Sequence, residues 1–289
     1  MFNTKNRQWT DNPLWIIFIT IFIMTLGDFL SYLLIPEVSK NRAFLYTFNQ
    51  YFEFIGIWII VLFTICFFSK DRYIMKEVFK NEKGNNYKNI LIGFLAGFLL
   101  NMVCAVFAIL NKNIVLKFKV FEILPFTGLF IAVFIQSSSE ELLCRGFMYQ
   151  RMLKSNSRPI FAIISNSMLF AFLHIFNDGV GTLAIYDIFV TGLFFSLVVY
   201  YYDSLWMAMA IHTTWNFTQS ILLGLQNSGA SFPYSVFQLD ISTTSSSFAY
   251  NTEFGLEGTI LSSVLMTLCC IFVVLDRGKN KKSPLKSAE

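Results

Sequence analysis

The strongest constraint on the fold is a series of eight apolar stretches, each close to the length that a helix needs to cross a membrane. About 20 apolar residues span the hydrocarbon core. Because lipid cannot satisfy open backbone groups, these stretches are expected to be helices. The sequence therefore predicts an all-α polytopic membrane bundle of about eight transmembrane helices, at residues 14–35, 51–68, 90–110, 124–144, 159–176, 182–202, 205–223 and 257–275.

Composition agrees with a membrane protein. Hydrophobic residues make up 55% of the 289 positions and charged residues only 14%, whereas soluble domains carry about 25% charged residues. This excludes a secreted disulfide scaffold, a disordered chain and an ordinary soluble enzyme. The first stretch lacks a small-residue cleavage site, so it is interpreted as a retained helix rather than a signal peptide.

The basic residues predict the orientation. With the N-terminus in the cytoplasm, 17 of the 22 lysines and arginines fall in cytoplasmic segments, which fits the positive-inside rule. Both ends are therefore expected to face the cytoplasm. The long outer loop at 224–256 has no lysine or arginine. Since the basic residues lie between apolar spans, the net charge of +4 does not indicate a nucleic-acid partner.

Acidic and basic residues inside apolar spans are expensive and indicate a function or a partner. Glu141 and Arg145 are four residues apart, so they share a helical face and can pair. Glu140 is turned about 100° away from them. One carboxylate is thus predicted to be structural and the other free to act as a base. The alternative is that this segment is only the solvated end of a helix.

Only two histidines occur, His174 and His212, and both lie in predicted spans. Asn216 follows His212 by one helical turn, on the same face. Two imidazoles with Glu140 are a ligand set for a catalytic zinc ion whose fourth position holds water. Without metal, the same groups can hold a water for a glutamate base and stabilise an oxyanion. Each histidine alone is also compatible with simple interhelical hydrogen bonding.

The five cysteines form no CxxC pair, so a cysteine zinc site is not predicted. Two lone acids, Asp28 and Asp187, are interpreted as helix-packing or water-cavity residues. Counting from the predicted span edges, Glu140 lies near the cytoplasmic surface and His174 about 20 Å deeper. For the motifs to meet, the fourth and fifth helices must project into the cytoplasm around 146–160, and the cavity is expected to open there.

Three motifs in order carry a resemblance to a known family. EExxxR at 140–145, FxxxH at 170–174 and HxxxN at 212–216 resemble the CAAX protease and bacteriocin-processing family, also called Abi, which includes the type II CAAX prenyl endopeptidases. The resemblance covers 124–223, so the domains are expected to be N-terminal helices at 1–123, this catalytic core, and a loop, last helix and basic tail at 224–289.

The resemblance implies an intramembrane endopeptidase of a bacterial-type plasma membrane. By motif position, Glu140 would activate the attacking water, and Glu141 and Arg145 would complete its motif. His174 and His212 would bind a metal, with Glu140 as a possible third ligand, or bind the water directly. Asn216 would stabilise the oxyanion. The implied substrate is a membrane-associated precursor, such as a bacteriocin, pheromone or signalling peptide, or a CAAX-type protein, and lipid is the surrounding partner.

Other functions fit less well. The HExxH, GxSG and GxGD strings of other membrane proteases are absent. A proton-relay transporter predicts paired repeats, and the sequence shows none. A non-catalytic immunity or scaffold protein of the same family stays open, because function belongs to the site and not to the fold.

Overall fold

The chain is described by a computed structural model that covers residues 9–79, 84–155 and 158–278. The basic residues Lys5, Arg7, Lys80 and Lys83, and the predicted basic tail beyond Gly278, lie outside the described residues. The N-terminal helices are α1 (Pro13–Leu34), α2 (Ala43–Phe52), α3 (Ile55–Phe67), α4 (Met75–Val78) and α5 (Tyr87–Leu110). Short 3₁₀ turns cover Trp9–Asp11, Arg72–Ile74 and Ile241–Thr243.

The second half of the chain contains the predicted core. Its helices are α6 (Ile123–Glu141), α7 (Tyr149–Ser155), α8 (Pro159–Phe172), α9 (Thr182–Tyr202), α10 (Leu205–Phe217) and α11 (Ile260–Arg277). A π-helical segment, Leu142–Met148, joins α6 to α7, and another, Thr218–Leu222, extends α10. The only strands in the described ranges are β1 (Leu116–Phe118) and β2 (Phe237–Leu239), which pair antiparallel.

The all-α polytopic bundle is confirmed, but the predicted count of eight spanning helices is not confirmed. Six helical stretches in the described part are long and apolar enough to cross a membrane. The fifth and seventh predicted spans correspond to α8 and α10, which have only 14 and 13 residues.

Polar residues begin several of these helices at the positions that the sequence suggests. Asn12 accepts a hydrogen bond from the backbone N–H of Leu14 and is followed by Pro13 in the first turn of α1. Asn86, Ser204 and Thr259 cap α5, α10 and α11 in the same way. Such side chains satisfy backbone donors that have no partner inside the helix.

The packing of α5 against α10 fixes the helix that carries His212. A Cβ atom at Gly97 would lie 2.2 Å from the carbonyl oxygen of Ile211, and one at Gly93 would lie 2.6 Å from that of Met207. Small residues allow this close approach of membrane helices, which dispersion and interhelical hydrogen bonds then stabilise. The outer sides of α1, α5 and α11 expose large apolar side chains to the lipid.

At each end of the bundle, contacts between the connecting segments hold neighbouring helices together. At the end predicted to be cytoplasmic, Lys70 pairs with Asp11 at 2.9 Å, and Lys154 lies 4.1 Å from the centroid of the Tyr73 ring. At the opposite end, the β1–β2 pair joins residues 116–118 to the long loop, and Asn177 donates to the carbonyl of Ser228 at 3.0 Å.

The fourth span is longer than its predicted edge at 144. With its π-helical segment it runs from Ile123 to Ser155, 33 residues in all. The predicted extension of this helix is therefore observed, but Glu140 lies near its middle, about 20 Å from Ser155 at 1.5 Å per residue. His174 lies in the turn after α8 rather than within the helix, because α8 ends at Phe172.

Candidate active site

The most deeply buried part of the site is an ion pair between Glu141 and Arg145. The Arg145 Nη1 atom donates to Glu141 Oε1 at 2.9 Å, and both side chains are fully buried. Arg145 Nη2 donates to the carbonyl of Gly192 on α9 at 3.0 Å. Its guanidinium lies 4.4 Å from the ring centroid of Phe170. The pairing predicted from the four-residue spacing is present, and it joins three helices.

His212 is oriented by the same carboxylate. Its Nδ1 atom lies 3.1 Å from Glu141 Oε1. Because an ionised carboxylate only accepts, we assign the proton to Nδ1. The ring is stacked on Phe195 at 5.2 Å and is nearly buried. Its Nε2 atom therefore faces the other glutamate, at 3.8 Å from Glu140 Oε2.

Glu140 has different surroundings from its neighbour. Its Oε1 atom accepts a hydrogen bond from Gln136 Nε2 at 2.6 Å, and its Oε2 atom makes no hydrogen bond within the described part of the chain. Glu141 Oε2 also lacks a hydrogen bond there, but Glu141 does not line the cavity and Glu140 does. Glu140 thus lies at the cavity wall with one carboxylate oxygen that is buried and has no hydrogen bond within the described residues.

A chain of amides holds Glu140 in place. Asn216 Nδ2 donates to Gln136 Oε1 at 3.0 Å and to Ser137 Oγ at 3.2 Å. Gln136 in turn donates to Glu140. Sequence reasoning missed Gln136, although its spacing of four residues from Glu140 on an apolar helix was a usable signal. Both amide hydrogens of Asn216 are used within the protein in this conformation.

His174 approaches the cavity from the α8–α9 turn. Its Nδ1 atom lies 2.7 Å from the carbonyl of Phe170. Because a carbonyl only accepts, this contact places the proton on Nδ1 and leaves the Nε2 lone pair available. His212 carries its proton in the same position, so each histidine has an Nε2 atom that can accept a hydrogen bond or bind a metal.

Two π-helical segments lie directly next to the motifs. Leu142–Met148 contains Arg145, and Thr218–Leu222 begins two residues after Asn216. A π-helical turn changes which side chains share a helix face and often occurs at functional sites. Here both segments follow the α-helical residues that carry Glu140 and His212.

A cavity of about 580 Å³ collects these groups. Glu140, His174, His212 and Asn216 line it, together with Gln136. Glu141 and Arg145 lie behind this wall and do not line the cavity. The structure thus brings four of the six predicted residues to one cavity and places the other two in the buried support.

The lone acids Asp28 and Asp187 also line the cavity, as the water-cavity interpretation expected. Residues of the outer loop line it as well, which sequence reasoning did not foresee. Glu257 accepts from Trp215 Nε1 at 2.8 Å and from the Ser228 backbone at 2.8 Å, and so ties the loop to α10. No local signal in the sequence indicates this contact, because 42 residues separate Trp215 from Glu257.

The expected zinc ligands do not form a coordination group in this conformation. Within residues 9–79, 84–155 and 158–278, no three His, Cys, Asp or Glu side chains are grouped so that they could hold a metal ion. His174, His212 and Glu140 share a cavity, but they do not converge on one point. The zinc site stays a prediction, and the chemistry below is derived from the protein groups alone.

The cavity lies toward the end of the bundle that carries the α8–α9 turn and the long loop at 224–256. Its lining includes Asn177 and Asp178 of the α8–α9 turn and Asn227–Ala230 of the long loop. The described basic connections at 69–78 and 146–155 contribute no lining residue. The expected opening of the cavity toward the cytoplasm stays a prediction.

Comparison with known proteins gives one family. Residues 122–218, a third of the chain, match the model of the Rce1-like type II CAAX prenyl endopeptidases. No curated protein matches the chain. The matched segment contains α6 to α10 and all six predicted site residues, and it confirms the resemblance seen in the three motifs.

Proposed function

Because residues 122–218 match the type II CAAX prenyl endopeptidases, we propose that the chain is an intramembrane endopeptidase in which Glu140 activates the attacking water. One observation carries this proposal. Glu140 Oε2, unbonded within the described chain, faces His212 Nε2 at 3.8 Å on the wall of a cavity. That distance is too long for a direct hydrogen bond. Because the Glu140 Oε2 atom is covered in this conformation, a small turn of the Glu140 side chain would let one water bridge both atoms at about 2.8 Å each.

The reaction follows from this position. Glu140 removes a proton from the water as the water oxygen attacks the carbonyl carbon of the scissile peptide. The proton, now on Glu140 Oε2, is then delivered to the leaving nitrogen as the C–N bond breaks. Glu140 returns to its ionised form, and the products are a carboxylic acid and an amine. General base and acid catalysis of this kind contributes about 10² to 10⁴ in rate.

Asn216 and His212 supply the remaining polar groups. His212 Nε2 accepts a hydrogen bond from the water, which directs a lone pair of the water oxygen at the substrate. Asn216 can donate to the developing oxyanion by exchanging the longer of its two hydrogen bonds, the one to Ser137 Oγ at 3.2 Å. Glu141 and Arg145 act through His212 and are positioning residues.

If zinc is bound, His174, His212 and Glu140 are the residues that would hold it, and the ion would lower the pKa of its water. The substrate class under this proposal is a membrane-associated peptide or protein precursor, such as a signalling peptide, a bacteriocin or a CAAX-type protein. The site of action is the plasma membrane, with lipid around α1, α5 and α11.

The test is cleavage of a quenched fluorescent peptide library by protein reconstituted in lipid vesicles. We expect Glu140→Ala and His174→Ala each to abolish cleavage while the protein still inserts into the membrane. Glu122→Gln, an exposed carboxylate at the start of α6, is the matched control and should cleave like the wild type. Cleavage retained in both Glu140→Ala and His174→Ala would overturn the proposal and favour a binding or immunity role.

A chelator arm separates the two versions of the chemistry. Stoichiometric zinc by mass spectrometry, lost in the His174→Ala/His212→Ala double variant together with chelator-sensitive cleavage, would assign a metallopeptidase. Cleavage that survives chelation without bound zinc would assign the glutamate mechanism described above.

A further inference from the structure

The cavity has a strongly acidic lining. Six carboxylates contribute to it, and no lysine or arginine of the described ranges does. The six come from four separate parts of the chain, namely the N-terminal helices, α6, the α8–α9 region and the segment before α11. They are Asp28, Glu53, Glu140, Asp178, Asp187 and Glu257.

These carboxylates are close enough to repel one another. Asp28 interacts electrostatically with both Glu140 and Glu53, and Asp187 interacts with Glu257. Asp187 is 1% exposed, and its Oδ2 atom accepts from the Gly258 N–H at 3.0 Å, whereas its Oδ1 atom makes no hydrogen bond meeting normal distance and angle limits. Negative charge gathered in a cavity within the membrane is costly unless a cation compensates it.

No basic side chain of the described residues supplies the compensating positive charge inside the cavity. Arg145 is engaged by Glu141 and Gly192 behind the wall, and it has no access to the cavity. Glu257 is held by neutral donors, Trp215 and Ser228. The described lining therefore offers carboxylates and no basic side chain to whatever enters the cavity, and low-dielectric walls strengthen their attraction for a cation.

The residues that line the cavity also suggest where its entrance lies. Asp178 and Ser228 lie at the end that the distribution of lysine and arginine assigns to the outside. The buried pair of Glu141 and Arg145 does not line the cavity. An entrance at the Asp178 end would lead past the acidic side chains to Glu140.

We propose that the cavity takes a positively charged peptide segment, one with a lysine, an arginine or a free amino terminus, from the outer side of the membrane. The inference rests on the proposed function for what happens next, but binding and access can be measured without any cleavage. The cationic group would lie among Asp28, Glu53 and Asp187, while the adjoining peptide bond would reach Glu140.

Binding is tested with two labelled peptides that differ in one side chain, lysine in one and uncharged norleucine in the other. Both carry N-methylated bonds that resist cleavage, and binding to the detergent-solubilised full chain is followed by fluorescence anisotropy. We expect the lysine peptide to bind at least tenfold more tightly, and the Asp28→Asn/Glu53→Gln double variant to bring this ratio close to one. Glu122→Gln is the control and should keep the ratio.

Equal binding of the two peptides, or tighter binding of the norleucine peptide, would overturn the cationic preference. If the double variant does not fold, the same ratio measured in the wild type at rising salt decides the matter. A ratio that falls as salt rises supports electrostatic recognition, and a ratio that stays constant overturns it.

Access is tested with a membrane-impermeant maleimide and single cysteine substitutions, with the wild type as the background for the five native cysteines. We expect Asp178→Cys and Ser231→Cys to react in intact cells, and Lys154→Cys to react only in inverted vesicles. Reaction of Lys154→Cys in intact cells, with Asp178→Cys reacting only in inverted vesicles, would place the cavity on the cytoplasmic side. An Asp178→Cys variant that reacts from neither side would also overturn the proposed entrance.

These readouts separate the two proposals. A protein that binds the lysine peptide from the outer side but cleaves nothing would sustain the binding site and refute the endopeptidase. A protein that cleaves only neutral peptides would support the endopeptidase and refute the cationic binding site.

Discussion

Two neighbouring glutamates divide the site into two regions with opposite surroundings. Around Glu141 lies a closed polar core, in which Arg145, His212 Nδ1 and the carbonyl of Gly192 are joined without access to the cavity. Around Glu140 lies the cavity wall, in which Gln136 holds one carboxylate oxygen and the other makes no hydrogen bond within the described residues. One step of about 100° along a helix separates structural support from proposed chemistry.

The comparison teaches that two adjacent acidic residues in a membrane helix can have different roles. The closed core gains from pairing because its charges have no other partners, and removing one would leave a buried charge uncompensated. The cavity wall gains from the absence of a partner, because a base must be able to reach a proton. Changes in the core should therefore act on stability, and changes in the wall should act on rate.

The largest effect is expected from Arg145→Ala. It leaves Glu141 buried without its ion pair, so the free energy of unfolding should fall by about 3–5 kcal/mol. Thermal unfolding in detergent measures this change. The double variant Glu141→Leu/Arg145→Met removes both charges and should recover most of the stability, but cleavage should stay low because His212 loses its partner. If Arg145→Ala unfolds like the wild type, the core is not the support described here.

A smaller effect is expected from Gln136→Leu on the cavity wall. It removes the hydrogen bond that orients Glu140, and kcat should fall about 10- to 100-fold, a loss of about 1.4–2.7 kcal/mol in transition-state stabilisation. KM and the unfolding temperature should change little. Thr127→Ala, an exposed residue of α6, is the control. A Gln136→Leu variant with wild-type kcat would show that Glu140 is oriented by other groups.

The smallest effect is expected from Trp215→Phe, which loses the hydrogen bond to Glu257 and keeps most of the aromatic packing. One such bond contributes about 1–3 kcal/mol when its acceptor is charged. Because this contact ties the outer loop to α10, KM should rise several-fold while kcat stays near the wild-type value. Steady-state kinetics measure both constants, and an equal fall in kcat would instead place Trp215 in the chemical step.

Part of this arrangement was predictable from local spacing. The four-residue interval between Glu141 and Arg145 fixes a shared helix face whatever surrounds it, and the structure shows the pair. The all-α bundle follows from the apolar stretches for the same reason. Local patterns suffice where a contact depends only on the periodicity of one helix.

The rest depends on contacts between distant segments. The predicted end of the fourth span at 144 was wrong, because hydropathy alone marks helix edges poorly and the helix continues through a π-helical segment to Ser155. The contact between Trp215 and Glu257, and the acidic wall that includes Asp28, arise from tertiary packing. No periodicity within one helix encodes them.

The most direct test of the central claim compares Glu140→Gln with Glu141→Gln in one preparation, by kcat and by unfolding temperature. Both substitutions remove one negative charge at almost constant volume. We expect Glu140→Gln to lower kcat by about 10² to 10⁴ with little change in unfolding temperature, and Glu141→Gln to lower the unfolding temperature clearly. Wild-type cleavage by Glu140→Gln, or a Glu141→Gln protein that is inactive yet as stable as the wild type, would contradict the division of roles.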